Sequence, residues 1–285
     1  MRTSALLNRR QAIGTLTAGA LAARTAFSAE APFRFSSIDH LALAVNDTEK
    51  SVYFYMKLLG GNVLKERSNP RHYVKAGPNY VAMAPPGQGQ ASQVVNHFCP
   101  GIVKFDQPAV KRALDKMGIK YRETTGTGLF VPDPDGTLVQ LWTENSWDQL
   151  DETAAPASIP TTFWAGGAAL IRPTGIDHIL INVTNLEKST AFYEKVLGPI
   201  ITPQSRPRRT WFSGGGGNRV GLAVVGPGQK PGIDHYCFTA PFDRAALTKG
   251  LEAAGATMTK GDVEAGIDFL DVNGIHVQVL PPARA

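Results

Sequence analysis

Three polar residues recur in this chain at one fixed offset. His40 and His178, His97 and His235, and Gln140 and Gln278 are each separated by 138 positions. Each half therefore carries a His, a second His 57 residues on, and a Gln 43 residues later. The neighbours repeat as well. Ile38-Asp39-His40-Leu41 mirrors Ile176-Asp177-His178-Ile179, His97-Phe98-Cys99 mirrors His235-Tyr236-Cys237, and Val139-Gln140 mirrors Val277-Gln278. A chain built this way must fold as two copies of one unit. Each copy places a polar triple inside apolar strands, which is the pattern of a metal site.

At 285 residues the chain has room for two ordinary domains. Its 43% apolar and 19% charged content is that of a globular protein. No apolar run reaches the roughly 18–20 residues that cross a bilayer. The net charge of +5 is concentrated at the N-terminus, where Arg2, Arg9, Arg10 and Arg24 stand among residues 1–28 without an acid. Without those four the chain is close to neutral, so its charge gives no reason to expect nucleic-acid binding. The same segment has the layout of a twin-arginine export signal. Arg9-Arg10 is followed by the weakly apolar stretch Ala12 to Ala23, then Arg24, then small residues at Ala26 and Ser28 before Ala29. The expectation is a folded protein exported to the periplasm or beyond, free of the membrane in its mature form.

The repeat sets the expected boundaries: signal peptide 1–28, first domain 33–145, linker 146–172 and second domain 173–281. The linker is rich in Ala, Pro, Thr and Gly, and Trp147, Phe163 and Trp164 are expected to anchor it to a surface. Each copy opens on a short apolar strand, Ile38–Val45 in the first. Candidate capping boxes follow at Asn46 with Glu49 and at Thr184 with Glu187. Helices are expected over Thr48–Leu59 and Leu186–Leu197, stopped by Gly60 and Gly198. After further short strands the plan starts again. A strand carries His97 or His235, and a helix near Ala109–Met117 or Arg244–Ala254 follows. The turn Asp133-Pro134-Asp135-Gly136, or Asp271-Val272-Asn273-Gly274, then leads into the Gln strand. Each copy reads βαβββ twice. Cys99 and Cys237 sit two residues after a candidate ligand at equivalent places and read as buried interior positions, with no sign of a disulfide.

This pattern resembles the vicinal oxygen chelate superfamily, which includes glyoxalase I, fosfomycin resistance enzymes, bleomycin resistance proteins and extradiol dioxygenases. The resemblance rests on the Asp-His pairs of the opening strands, the helices ending in Leu-Gly, the second-strand His and the turn leading to Val-Gln. It implies an α+β fold of two tandem domains. Each would be two βαβββ units curving a mixed sheet around a cavity that holds a divalent ion (Fe, Mn, Zn or Ni). By the same resemblance His178, His235 and Gln278 occupy the ligand positions of the second domain, and His40, His97 and Gln140 those of the first. The family's third position is normally Glu. An amide supplies a dipole where a carboxylate supplies charge, so the two glutamines read either as ligands or as hydrogen-bonding remnants of a lost site. The fourth ligand of glyoxalase-type members falls near Ala82–Ala84 and Leu222–Val224, which are apolar.

His276 breaks the symmetry, because its counterpart is Leu138. Two residues before Gln278, it shares that residue's strand face. It is a candidate catalytic acid or base, or a replacement ligand, and it tilts the expected active copy to the second half. Arg206, Arg208 and Arg209 read as a solvated turn or as a carboxylate clamp. The run Ser213 to Gly217 reads as a flexible hairpin, in one version a lid. Three functions follow: a metal-dependent lyase or isomerase acting on a small oxygenated substrate, a ring-cleaving extradiol-type dioxygenase, or a non-catalytic small-molecule-binding protein. A monomer or homodimer is expected in each case.

Overall fold

The strands that open the two copies are apolar on both sides, so each must lie inside a sheet covered on both faces. A computed structural model describes residues 32–60, 63–66, 71–124, 126–154, 158–160, 168–205 and 208–282. The export-signal expectation, Phe163, Trp164 and Arg206 lie outside the described residues. In chain order the first half contains β1 (Phe35–Ala44), α1 (Thr48–Leu59), β2 (Val63–Glu66), β3 (His72–Ala76), β4 (Asn79–Ala84), β5 (Val94–Ile102), α2 (Gln107–Met117), β6 (Arg122–Glu123), β7 (Leu129–Pro132) and β8 (Leu138–Thr143). Between the halves come α3 (Ser146–Ala154) and β9 (Ser158–Pro160). The second half contains β10 (Gly175–Val183), α4 (Leu186–Leu197), β11 (Ile200–Ser205), β12 (Arg208–Gly215), β13 (Asn218–Val224), β14 (Gly232–Thr239), α5 (Arg244–Ala253), β15 (Thr257–Thr259), β16 (Ile267–Leu270) and β17 (His276–Leu280).

Each half makes one sheet with the same plan. The first runs β6-β7-β8-β5-β1-β4-β3-β2-β9 and the second β11-β12-β13-β10-β14-β17-β16-β15. In each, the two βαβββ units meet along an antiparallel central pair, β1 with β5 and β10 with β14. Each unit closes with a parallel neighbour: β4, β8, β13 and β17.

The central pairs carry the decisive irregularity. Their registers slip at Asp39, Asn96, Asp177 and Asp234, leaving each as the extra residue of a β-bulge. Each immediately precedes one of the four histidines. In a regular strand neighbouring side chains point to opposite faces. The bulge removes that alternation, so the side chain before each His bends back onto the His Nδ1.

The halves lock together around a pseudo-dyad. Asn79 Nδ2 donates to Ile38 O at 2.8 Å while its Oδ1 accepts from Ile176 N at 3.0 Å. Asn218 does the reverse, its Nδ2 bonding Ile176 O and its Oδ1 accepting from Ile38 N at 2.9 Å. The turns that launch the Gln strands dock on the opposite half. Tyr193 Oη donates to Asp133 Oδ2 at 3.1 Å, and Tyr55 Oη donates to Asp271 Oδ2 at 2.8 Å. All four side chains are buried. The placement of each Gln strand therefore depends on the other copy.

The helices α1 and α4 run over the expected residues, but their caps fall one residue later than expected. Asp47 and Asn185 are the N-caps, accepting from Lys50 N and Lys188 N at 2.9 Å. The glycine run forms the expected hairpin, from β12 to β13, but it is packed against the other half. Gly215, Gly216 and Gly217 turn β12 into β13 with positive φ, and a Cβ at Gly215 or Gly216 would strike the backbone of Phe35 and Ser36. These glycines let one half press against the opening strand of the other, so the segment is a packed joint and not a lid. The expected linker likewise folds onto the first sheet. Its strand β9 pairs with β2, and Trp147 is buried against Tyr80 with ring centroids 5.6 Å apart.

Candidate metal centre

In the second half, β10 and β14 bring His178 and His235 together edge-on, with their Nε2 atoms 3.3 Å apart. Both rings are oriented from behind. His178 Nδ1 donates to Asp177 at 2.6 Å, and His235 Nδ1 donates to Asp234 at 2.7 Å. With each Nδ1–H committed to a carboxylate, the two Nε2 atoms are the ring nitrogens left for a ligand, and they meet at hydrogen-bond distance. Around a cation with metal–nitrogen bonds of about 2.0–2.1 Å they would be well placed, since neighbouring ligands of such a shell lie ~3.0–3.4 Å apart. Burial lowers the His178 pKa against the opposing pull of Asp177, which favours the neutral, ligating ring.

Gln278 stands on β17, in the cross-strand row that runs through Cys237 to His178. It is 1% exposed, and its Oε1 is a buried oxygen with no hydrogen-bond partner in the structure. Such an oxygen costs roughly 1–3 kcal/mol unless something occupies it. Its Nε2 is bound to Asp268 of β16, at 3.1 and 3.2 Å from the two carboxylate oxygens. The three donors fit a divalent cation: two imidazole nitrogens, one orphaned amide oxygen, and aspartates behind all three.

His276 stands beside His235, with ring centroids 4.9 Å apart. Its Nε2 donates to Asp268 at 3.0 Å, and its Nδ1 lies 3.8 Å from Asp234. Partial burial alone would lower its pKa, but the two carboxylates outweigh this and raise it to about 9. The two carboxylates thus favour the protonated ring. Burial likewise opposes ionisation of Asp268, and the bonds from His276 and Gln278 overcome it, holding the carboxyl below its usual range. Arg219 of β13 donates to Asp177 at 2.7 Å and lies over the Trp211 ring at 5.0 Å. With His178 it holds Asp177 at about 2, against the burial that would raise it.

The first half assembles the same triple and closes it. His40 Nε2 bonds Gln140 Oε1 directly at 2.9 Å, and Gln140 also hydrogen-bonds His97. His97 Nδ1 donates to Asn96, an amide where the second half has Asp234. Tyr80 stacks on His40 at 4.6 Å and Phe130 packs on His97 at 4.8 Å. Asp39 is buried, bonded to His40 Nδ1 at 2.8 Å, to Ser146 N at 2.9 Å and to the Ser146 hydroxyl. The His40, His97 and Gln140 side chains thus meet as expected, but they satisfy one another. The two cysteines are free and buried, and burial raises both thiols well above their usual pKa. That keeps them protonated and apolar in character, although each Sγ lies near an Asp-His pair.

Arg209 pairs with Asp262 at 2.7 Å, and Arg208 is exposed. The arginine at the site is Arg219, which the sequence did not single out. Asp234 and Asp268 were missed as well. A signal for Asp234 was available, because Gly232-Ile233-Asp234-His235 repeats Gly175-Ile176-Asp177-His178. For Asp268 none was, because its counterpart is Phe130 and its role depends on the β16–β17 register.

A family model described as Glyoxalase/Bleomycin resistance protein/Dioxygenase superfamily matches residues 37–141 and 175–282. The chain is 30% identical over 115 residues to a glutathione transferase, FosA, of Serratia marcescens, an alignment covering 37% of this chain and 79% of that protein. In structure it resembles the 2,3-dioxygenase LapB from Pseudomonas sp. KL28, with a TM-score of 0.62 at 14% identity, covering 88% of this chain and 94% of that one. It also resembles the Mn(II)-bound glyoxalase from Novosphingobium aromaticivorans, with a TM-score of 0.59 at 15% identity, covering 88% and 84%.

Proposed function

We propose, since this chain belongs to the Glyoxalase/Bleomycin resistance protein/Dioxygenase superfamily, that its second half is the site of a metal-dependent lyase or isomerase. It would act on a small oxygenated substrate. The observation that carries this reading is the pair of Nε2 atoms held 3.3 Å apart with both Nδ1 atoms tied to aspartates. His178, His235 and Gln278 would hold the ion, which when bound supplies Lewis acidity toward neighbouring substrate oxygens. The chain's own groups do the rest. Asp177 and Asp234 fix the two rings, so no reorganisation is needed when substrate arrives. His276 stands directly across from His235 on the neighbouring strand, held by Asp234 and Asp268 and partly open to solvent, and it delivers a proton to an oxygen or carbon on which charge develops. Arg219, which is 41% exposed, borders the site and favours an anionic group on the substrate. The amide at Gln278 weighs against the ring-cleaving reading, because the usual non-haem iron site is completed by a carboxylate.

The test is metal content per chain on protein purified without chelator, for the wild type and His178→Ala. A stoichiometric Fe, Mn, Zn or Ni that disappears in the variant supports the reading. A wild-type chain that holds no metal and refuses added metal overturns it and leaves a binding protein. His276→Ala should then lower turnover with metal content unchanged; loss of metal instead would make His276 a ligand. Export of the folded, loaded protein belongs to the same reading and rests on Arg9-Arg10. Replacing both with Lys should retain the protein in the cytoplasm, and unchanged fractionation would count against export.

A further inference from the structure

The ligand position that in this family carries a carboxylate here carries an amide, yet a carboxylate is still present one strand away. Asp268 is 4% exposed and lies directly across β16–β17 from Gln278. Both of its oxygens receive the Gln278 amide nitrogen. An ionised carboxylate can face only the NH2 end of an amide, because the oxygen end would be repelled. The carboxylate thus fixes which way Gln278 is turned, and the Oε1 left over is the buried oxygen without a partner.

The first half provides an internal control. There the residue across from the glutamine is Phe130, which offers the amide nothing. Gln140 turns its Oε1 onto His40 Nε2 at 2.9 Å, and the oxygen is used up. The same residue type on the same strand position is available in one half and spent in the other, and the residue across from it differs. Space for the arrangement is set aside as well. A Cβ on Gly261 would collide with the Asp268 carboxylate, so only glycine there lets it sit against the chain.

We propose that Asp268 is a positioning residue that aims Gln278 Oε1 at the metal and, through the amide, supplies the negative charge that a Glu would have supplied directly. This rests on the metal reading above. An amide whose NH2 donates to a carboxylate has a more electron-rich oxygen, so a charge outside the ligand set is felt through the ligand.

The experiment uses Co(II) alone, titrated into the metal-free full chain and read by visible absorption. Asp268→Asn should weaken Co(II) binding by about 10–100-fold, the usual loss when a ligand's hydrogen-bond partner is removed, and should shift the Co(II) bands. Adding Gln278→Glu to Asp268→Asn should restore affinity. Gln278→Glu alone should gain less, because it sets two carboxylates side by side. This non-additivity, a larger gain from Gln278→Glu when Asp268 is already Asn, is something a merely structural role would not produce. Wild-type affinity in Asp268→Asn, or a double variant as weak as Asp268→Asn, overturns the proposal while leaving the metal reading intact. A wild-type chain that refuses Co(II) overturns both. If Asp268→Asn does not fold, Gly261→Ala displaces the carboxylate without removing it. Weakened Co(II) binding in that variant supports the proposal, and unchanged binding overturns it.

Discussion

The two halves hold the same triple on the same strands, yet one triple is closed and the other is open. In the first half His40 and Gln140 bond each other, Tyr80 and Phe130 cover the rings, and Ser146 ties down Asp39. In the second half the two Nε2 atoms stand 3.3 Å apart, and Gln278, in the same cross-strand row as His178, keeps a buried Oε1 that neither His takes up. The ligand-type residues are identical, so they do not decide the outcome. The residues around them do: Asn96 against Asp234, Phe130 against Asp268, Leu138 against His276, and Tyr80 against Arg219. Each exchange in the second half adds a charge, and each in the first half leaves a neutral amide, an apolar side chain or a neutral phenol. A ligand set becomes a site only when its surroundings stop the ligands from satisfying each other.

The strongest way to break this comparison is to remove one equivalent histidine from each half. His178→Ala should reduce metal affinity and turnover by more than ~100-fold, beyond what loss of a supporting partner costs. His40→Ala should leave the metal stoichiometry unchanged and act on stability instead. Metal analysis and steady-state assays on both variants decide it, and the reverse ranking would move the active copy to the first half.

A smaller effect tests whether the first triple is structural. Ser146 donates its backbone N–H and its hydroxyl to buried Asp39, and its Oγ also meets Tyr80 Oη at 2.9 Å. Ser146→Ala leaves both side chains short of a partner, so a loss of about 1–3 kcal/mol in denaturant unfolding is expected. Co(II) affinity should stay at the wild-type level. A change in metal binding with no change in stability would mean that the first half also binds metal.

Much of this was legible in the sequence because duplication wrote it twice. The fixed offset gave the strands, the helices over Thr48–Leu59 and Leu186–Leu197, and the meeting of His178 with His235. The caps slipped by one residue because Asn46 and Asp47, or Thr184 and Asn185, are all competent capping types, and the choice between neighbours depends on backbone geometry. The hairpin of the glycine run was legible but its packing was not, because the cause is not local: Phe35 and Ser36 belong to the other half. Asp268 escaped for a related reason. Symmetry finds what two copies share, and the features that separate an open site from a closed one are those they do not share.

That point yields the finest test, in which the first half is given the second half's surroundings. Phe130→Asp places a carboxylate across from Gln140, and Asn96→Asp gives His97 the partner that His235 already has. If the surroundings decide, Gln140 should swing its Nε2 to the new carboxylate and release its Oε1 from His40. A second equivalent of Co(II) should then bind, more weakly than in the second half. Two features oppose it: Tyr80 still stacks on His40, and Arg122, over the Phe130 ring at 4.4 Å, would compete for the new charge. Arg122→Gln should therefore strengthen the second site. A chain that carries all three changes, stays folded and still binds one Co(II) would show that Tyr80, and not the missing carboxylates, keeps the first half closed.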